Sequence, residues 1–201
     1  MTTRSDGPRE RRIGHWQLSD PPFSFSTTGG ERTRAVAHRF RGEGTQKVDG
    51  KGRITIPALF RRVLEAADPA CTDGRAPNLV IVYGPERQKH LECFTMEAIA
   101  EVDAKIAALP RGSKRRRLLE RIYNGMSFPT NVDETGRLVL PARLRAKIGL
   151  DDEAYFIATG DTFQIWRPET YAAEVEDETD ALLDELPAGM DPLELLEAGE
   201  L

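Results

Sequence analysis

An aspartate, a glycine three residues on and an arginine directly after it occur twice at identical internal spacing, as Asp49, Gly52, Arg53 and as Asp133, Gly136, Arg137. The planar guanidinium fork of such an arginine can take O6 and N7 of guanine in a major groove, or clamp a phosphate. Lys47, Lys51 and Arg145 stand close by in sequence, and their charges would orient a polyanion without reading its sequence. The two carboxylates could form a pair if symmetry brought them together. The better reading is that each caps its own turn or pairs with the arginine four residues on.

Other candidate chemistry is thin. His15, His38 and His90 occupy three dissimilar contexts with no nucleophile or carboxylate at a recognisable spacing. Gly44–Lys51 superficially resembles a phosphate loop, but its glycines are one residue too far apart and Gly52 replaces the hydroxyl that would hold magnesium. Cys71 and Cys93 lack a CxxC or neighbouring histidine pattern and read as two reduced thiols. The expectation is therefore no catalytic residue, no metal and no cofactor.

The elements around the two arginines repeat as well. Asp49-Gly50-Lys51-Gly52-Arg53-Ile54-Thr55-Ile56-Pro57-Ala58-Leu59-Phe60-Arg61 returns as Asp133-Glu134-Thr135-Gly136-Arg137-Leu138-Val139-Leu140-Pro141-Ala142-Arg143-Leu144-Arg145, which reads as a tandem duplication. Glycine admits positive φ, so the first four residues predict a turn. Strand alternation then sets Ile54 and Ile56 inward and Arg53 and Thr55 outward. Pro57 suits the start of a short helix, with Leu59, Phe60, Val63 and Leu64 as its buried stripe. Downstream, Asn78–Tyr83 with Leu91–Phe94, and Ala154–Thr159 with Phe163–Trp166 about Gly160-Asp161, predict one hairpin per repeat. Helices are expected over Met96–Leu109, Lys114–Ile122 and from Pro168.

This organises the chain as a disordered extension (1–39), a first repeat (40–110), a basic linker helix (111–122), a second repeat (123–173) and an acidic tail (174–201). Residues 168–201 hold 12 of the 33 acidic residues and none of the 28 basic ones, so a basic body lies behind the net charge of −5. A basic body suits a polyanion partner, although a solvated face explains many single clusters, Lys114–Arg117 included. Apolar runs are strand-length, which predicts no membrane span, and the start of the chain shows no secretory signal.

The duplicated Asp-x-x-Gly-Arg-x-x-x-Pro stretches, each leading into an arginine-bearing short helix and the first preceded by Phe40-x-Gly42, closely resemble the MraZ family of AbrB-like, swapped-hairpin transcription factors, over roughly Phe40 to Tyr171. The resemblance implies an α+β, β-rich fold in which two tandem swapped-hairpin repeats interleave into a small pseudo-symmetric β-barrel with peripheral helices. It implies ring-like homo-oligomers, and binding of double-stranded DNA at short promoter repeats of the division and cell-wall gene cluster. Asp49 and Arg53 match the family's first DNA-binding segment, Asp133 and Arg137 its second. A cytoplasmic, nucleoid-associated protein with no small-molecule substrate follows from that. Exposed strand edges and apolar hairpins such as Leu79–Tyr83 are a further reason to expect self-association. Two other classes compete: an antitoxin-like partner binder, which would show an apolar groove receiving the leucine-bearing tail, and an enzyme, which would need a pocket of convergent titratable groups.

Overall fold

A computed structural model of the chain describes residues 39–72, 75–186 and 190–196. The N-terminal extension up to residue 38, with its expected disorder, lies outside the described residues, as do the last residues of the tail. The first repeat contains β1 (Glu43–Lys47), β2 (Arg53–Thr55), α1 (Ala58–Ala66), β3 (Asn78–Val82), β4 (His90–Phe94) and α2 (Met96–Ala107). The connector α3 (Lys114–Glu120) runs into a π turn, Arg121–Gly125. The second repeat follows with β5 (Ser127–Asn131), β6 (Arg137–Val139), α4 (Ala142–Lys147), β7 (Glu153–Ala158) and β8 (Thr162–Trp166). Helix α5 (Pro168–Tyr171), a π turn (Ala172–Glu176) and α6 (Asp177–Glu185) then run end to end.

The repeats do not fold side by side. Strand order in the large sheet is β1-β7-β8-β4-β3-β5, so the first strand of each repeat pairs with the hairpin of the other. β4 pairs with β8 across the centre, and β2 pairs with β6 in a separate ribbon, with one further bridge from Ile54 to Val48. All these pairings are antiparallel.

The closed barrel that the resemblance implies is not formed as a ladder: the sheet is open, with β1 and β5 as its edges. Each edge strand leaves the sheet where it enters a turn, and β5 carries Pro129, which has no N–H for a further strand and suits an edge position. The β2–β6 ribbon turns its apolar face inward instead. Ile54, Ile56, Leu138 and Leu140 are all essentially inaccessible, in one core with Phe40, Phe60, Leu64, Leu79, Leu144, Phe156 and Phe163. Phe40 seats edge-on against Phe60 and Phe163 at 5.3 and 5.0 Å, and its N–H donates to the Gly160 carbonyl.

Two expectations need correction. Leu59 is 37% exposed, and Phe60, Val63 and Leu64 alone form the buried stripe of α1. The hairpin run Leu79–Val82 is buried on both faces, Leu79 and Ile81 in the main core and Val80 and Val82 under Ala98 and Ile99 of α2. That run therefore gives no reason for a second chain. On the other hairpin, Tyr171 of α5 covers Tyr155 and Trp166.

Candidate nucleic-acid interface

Each turn is built from its own aspartate. In the first, Oδ1 of Asp49 accepts from the backbone N–H groups of Lys51 and Arg53, both at 2.9 Å, and Oδ2 accepts from Nε of Arg53 at 2.6 Å. In the second, Oδ1 of Asp133 accepts from the N–H of Thr135 (2.8 Å), its hydroxyl (2.6 Å) and the N–H of Arg137 (2.9 Å). Each aspartate N–H donates to the arginine carbonyl and each glycine N–H to the aspartate carbonyl. The two carboxylates are thus separate caps. Asp49 is held down to about 2 by the Arg53 backbone N–H first and its guanidinium second. Asp133 is lowered chiefly by the Thr135 hydroxyl and the Arg137 N–H.

The glycines lock these turns to the opposite repeat. Gly52 and Gly136 have φ of 78° and 77°, a region that costs a Cβ-bearing residue roughly 1–2 kcal/mol. The Gly52 carbonyl accepts from the N–H of Leu140 at 2.8 Å, and the Gly136 carbonyl accepts from the N–H of Ile56 at 2.9 Å. Arg145 of α4 packs its guanidinium on Gly52, and Arg61 of α1 does the same on Gly136. The Nε atoms of Arg61 and Arg145 are buried with no hydrogen-bond partner among the described residues. These two arginines brace the turns across the repeats.

Between the turns, the ribbon register opposes Arg53 to Val139 and Thr55 to Arg137. Since Ile54 and Leu138 point inward, all four flanking side chains lie on the outer face. Arg53 and Arg137 are diagonal neighbours there, a placement about 7–8 Å apart and within reach of long side chains. Thr55, Arg137 and Val139 are exposed and Arg53 half-buried, while Gly50, Lys51, Glu134 and Thr135 expose the turn tips. Lys47 lies exposed at the end of β1, opposite Glu153 of β7.

The structure thus brings Asp49, Lys51, Arg53, Asp133 and Arg137 to one ribbon and its turns, and places Arg145 under the first turn. Arg61 was overlooked in the sequence, although it stands at the same offset in its repeat as Arg145. Thr135 was also overlooked, and here an ordinary turn hydroxyl offered no signal. The basic run Lys114–Arg117 is partly engaged in the fold. Arg116 pairs with Glu120 at 2.7 Å and donates to the Ala107 and Leu109 carbonyls, and Arg117 donates to Gly112. His90 stacks on Trp166 at 4.5 Å, and burial with the nearby charge of Lys147 pushes it down to about 4. Among the described residues no helix is long and apolar enough to cross a membrane.

Comparisons with known proteins show which family the chain resembles. The family model described as "MraZ protein, putative antitoxin-like" matches residues 39–119 and 127–185. A protein of Ruegeria sp. (strain TM1040) named "Transcriptional regulator MraZ" is 67% identical over 162 residues, covering 81% of this chain and 97% of its own length. Another of that name, from Ruegeria pomeroyi (strain ATCC 700808 / DSM 15171 / DSS-3), is 64% identical over the same shares. One from Rhodospirillum rubrum (strain ATCC 11170 / ATH 1.1.1 / DSM 467 / LMG 4362 / NCIMB 8255 / S1) is 36% identical over 137 residues, covering 67% of this chain and 83% of its own length.

Proposed function

The chain belongs to the MraZ family of transcriptional regulators, which are not enzymes, and from that premise we propose that it reads promoter DNA with the outer face of the β2–β6 ribbon. The observation that carries this reading is the diagonal pair Arg53 and Arg137 on one outer face between two exposed turns. In this reading each arginine takes a guanine edge by its bidentate fork. Lys47, Lys51 and Arg145 contact phosphates, and Asp49 and Asp133 fix the turns. The targets are short direct repeats in the promoter of the division and cell-wall gene cluster. A small ribbon offers few contacts, so a ring of copies along spaced repeats raises affinity through effective concentration. A nucleoid-associated protein in the cytoplasm follows from a DNA partner.

A footprint upstream of the protein's own gene tests the proposal. Wild type should protect spaced short repeats, and the Arg53→Ala/Arg137→Ala double variant should lose that protection with its circular dichroism unchanged. Either Arg→Lys variant should already lose discrimination worth about 1–3 kcal/mol per contact, because lysine keeps the charge without the fork. Normal protection by the double variant overturns the assignment and moves the DNA face elsewhere.

A further inference from the structure

Two helices of this chain carry exposed leucines with opposite surroundings. On α3, Leu118 is 58% exposed. Lys114, Arg115 and Arg121 flank it at i−4, i−3 and i+3, the spacings that share a helix face. The side chains of these three bases make no hydrogen bond or ion pair with other described residues. On α6, Leu182 and Leu183 are each 49% exposed, and no residue of that helix is buried. Its charged residues are Asp177, Glu178, Asp180, Asp184 and Glu185, without a base.

The helix that ends in α6 is anchored at its start. Tyr171 is buried against Tyr155 and Trp166, and Val175 packs at the edge of that cluster. Beyond it α6 continues for nine residues, a length of about 13 Å, with Leu182 and Leu183 half exposed among its acids. A short helix in water is marginal by itself, and its stability comes from packing an apolar face. Here Leu182 and Leu183 stay half exposed within the described chain.

From the opposite charges we infer that α6 of one copy lies against α3 of the next, with Leu182 and Leu183 on Leu118 and the acids of α6 against Lys114, Arg115 and Arg121. The inference deepens the oligomer reading above and rests on it. It also gives that reading a direction. α3 follows the helix covering the β3–β4 hairpin, whereas α6 follows the helix covering β7–β8. A contact between two different patches is heterologous, and repeated copies of it close into a ring or run on as a filament. Neither helix uses the β2–β6 ribbon, so assembly would leave the arginine face to DNA.

Charge reversal tests this on the full chain by light scattering. Lys114→Glu/Arg115→Glu makes α3 acidic, and Glu178→Lys/Asp184→Lys/Glu185→Lys makes α6 basic. Each variant alone should dissociate, its half-assembly concentration rising about tenfold or more through like-charge contact. An equimolar mixture should reassemble to the wild-type mass, because each junction again joins opposite charges, and this rescue also shows that both variants are folded. Retention of wild-type assembly by either variant overturns the inference and leaves the oligomer reading standing. Failure of the mixture to reassemble overturns it too, as does rescue only when both reversals share one chain, which would mean contact within a chain. A monomeric wild type overturns both.

Discussion

The turn of the first repeat and the turn of the second share one backbone and differ in what their aspartates hold. Asp49 divides its oxygens, one on two backbone N–H groups and one on the Arg53 guanidinium. Asp133 gathers three donors on one oxygen, including the Thr135 hydroxyl, and the Arg137 side chain makes no hydrogen bond or ion pair with other described residues. A backbone cap needs only one carboxylate oxygen, so the other is available to restrain a neighbour. On the proposed reading, Arg53 would meet DNA already ordered, at the cost of breaking or sharing its ion pair. Arg137 would meet it free to choose a rotamer and lose that freedom on binding.

The largest difference is expected at the glycines. A Cβ on Gly52 would lie 2.5 Å from the Leu140 carbonyl, which is backbone and cannot swing away, whereas on Gly136 it would meet the guanidinium end of Arg61. Both substitutions carry the penalty of positive φ. In denaturant titration Gly52→Ala should cost about 3–4 kcal/mol and Gly136→Ala about 1–2, since a long side chain can move aside. Equal losses would mean that Arg61 is as fixed as backbone.

Removing each carboxylate charge separates the turns on DNA. Asn can keep the bonds to backbone N–H through its carbonyl oxygen, so Asp49→Asn chiefly releases Arg53. Its operator-to-random affinity ratio should fall about tenfold as the freed charge strengthens phosphate contact, while Asp133→Asn should change the ratio only about twofold. Gel-shift titration at two salt concentrations would show it. The reverse order would assign the greater role to the unrestrained arginine.

The smallest effect lies in acid titration followed by carboxyl carbon shifts. Both aspartates have folded-state pKa values below the ordinary 3.8, so the stability each contributes is complete above that value and is lost as pH falls through its folded pKa. For Asp49 the window runs from 3.8 down to about 2. Arg53→Ala should move the Asp49 midpoint upward, and Thr135→Val should do so for Asp133. An Asp133 midpoint that responds to Arg137→Ala more than to Thr135→Val would show an ion pair in solution like the one in the first turn.

Much of this site was legible because its determinants are local. Positive-φ glycine, an aspartate cap and period-two alternation act within a few residues, and Ile54, Ile56, Leu138 and Leu140 are buried as that alternation requires. Pairing between distant strands leaves no such trace. Alternation tells which face of Arg53–Thr55 is wet without naming its partner, so the diagonal Arg53–Arg137 pair and the braces from Arg61 and Arg145 appear only in the folded chain. The interleaving itself was suggested by the family resemblance, and with it came the closed ladder that the sheet does not form. Composition misled at Arg116, whose charge joins the basic run while its hydrogen bonds close the end of α2.

The exchange of first strands also bears on synthesis at the ribosome. β1, at Glu43–Lys47, hydrogen-bonds to β7, at Glu153–Ala158, so the strand made first must wait for almost the last one. At roughly 5–20 residues per second that delay is about 5–20 seconds, in which the emerging β3–β4 hairpin first lacks both β5 and β8 and then still lacks β8. Chains stalled before β6 should be cleaved rapidly by added protease at β1 and β2. A nascent chain with two open flanks can also be completed by a neighbour on the same message, since the β5–β8 segment of one chain could fill the place of another's. Crowded polysomes would then favour interchain exchange of whole repeats, unless a chaperone covers the hairpin until its own second half arrives.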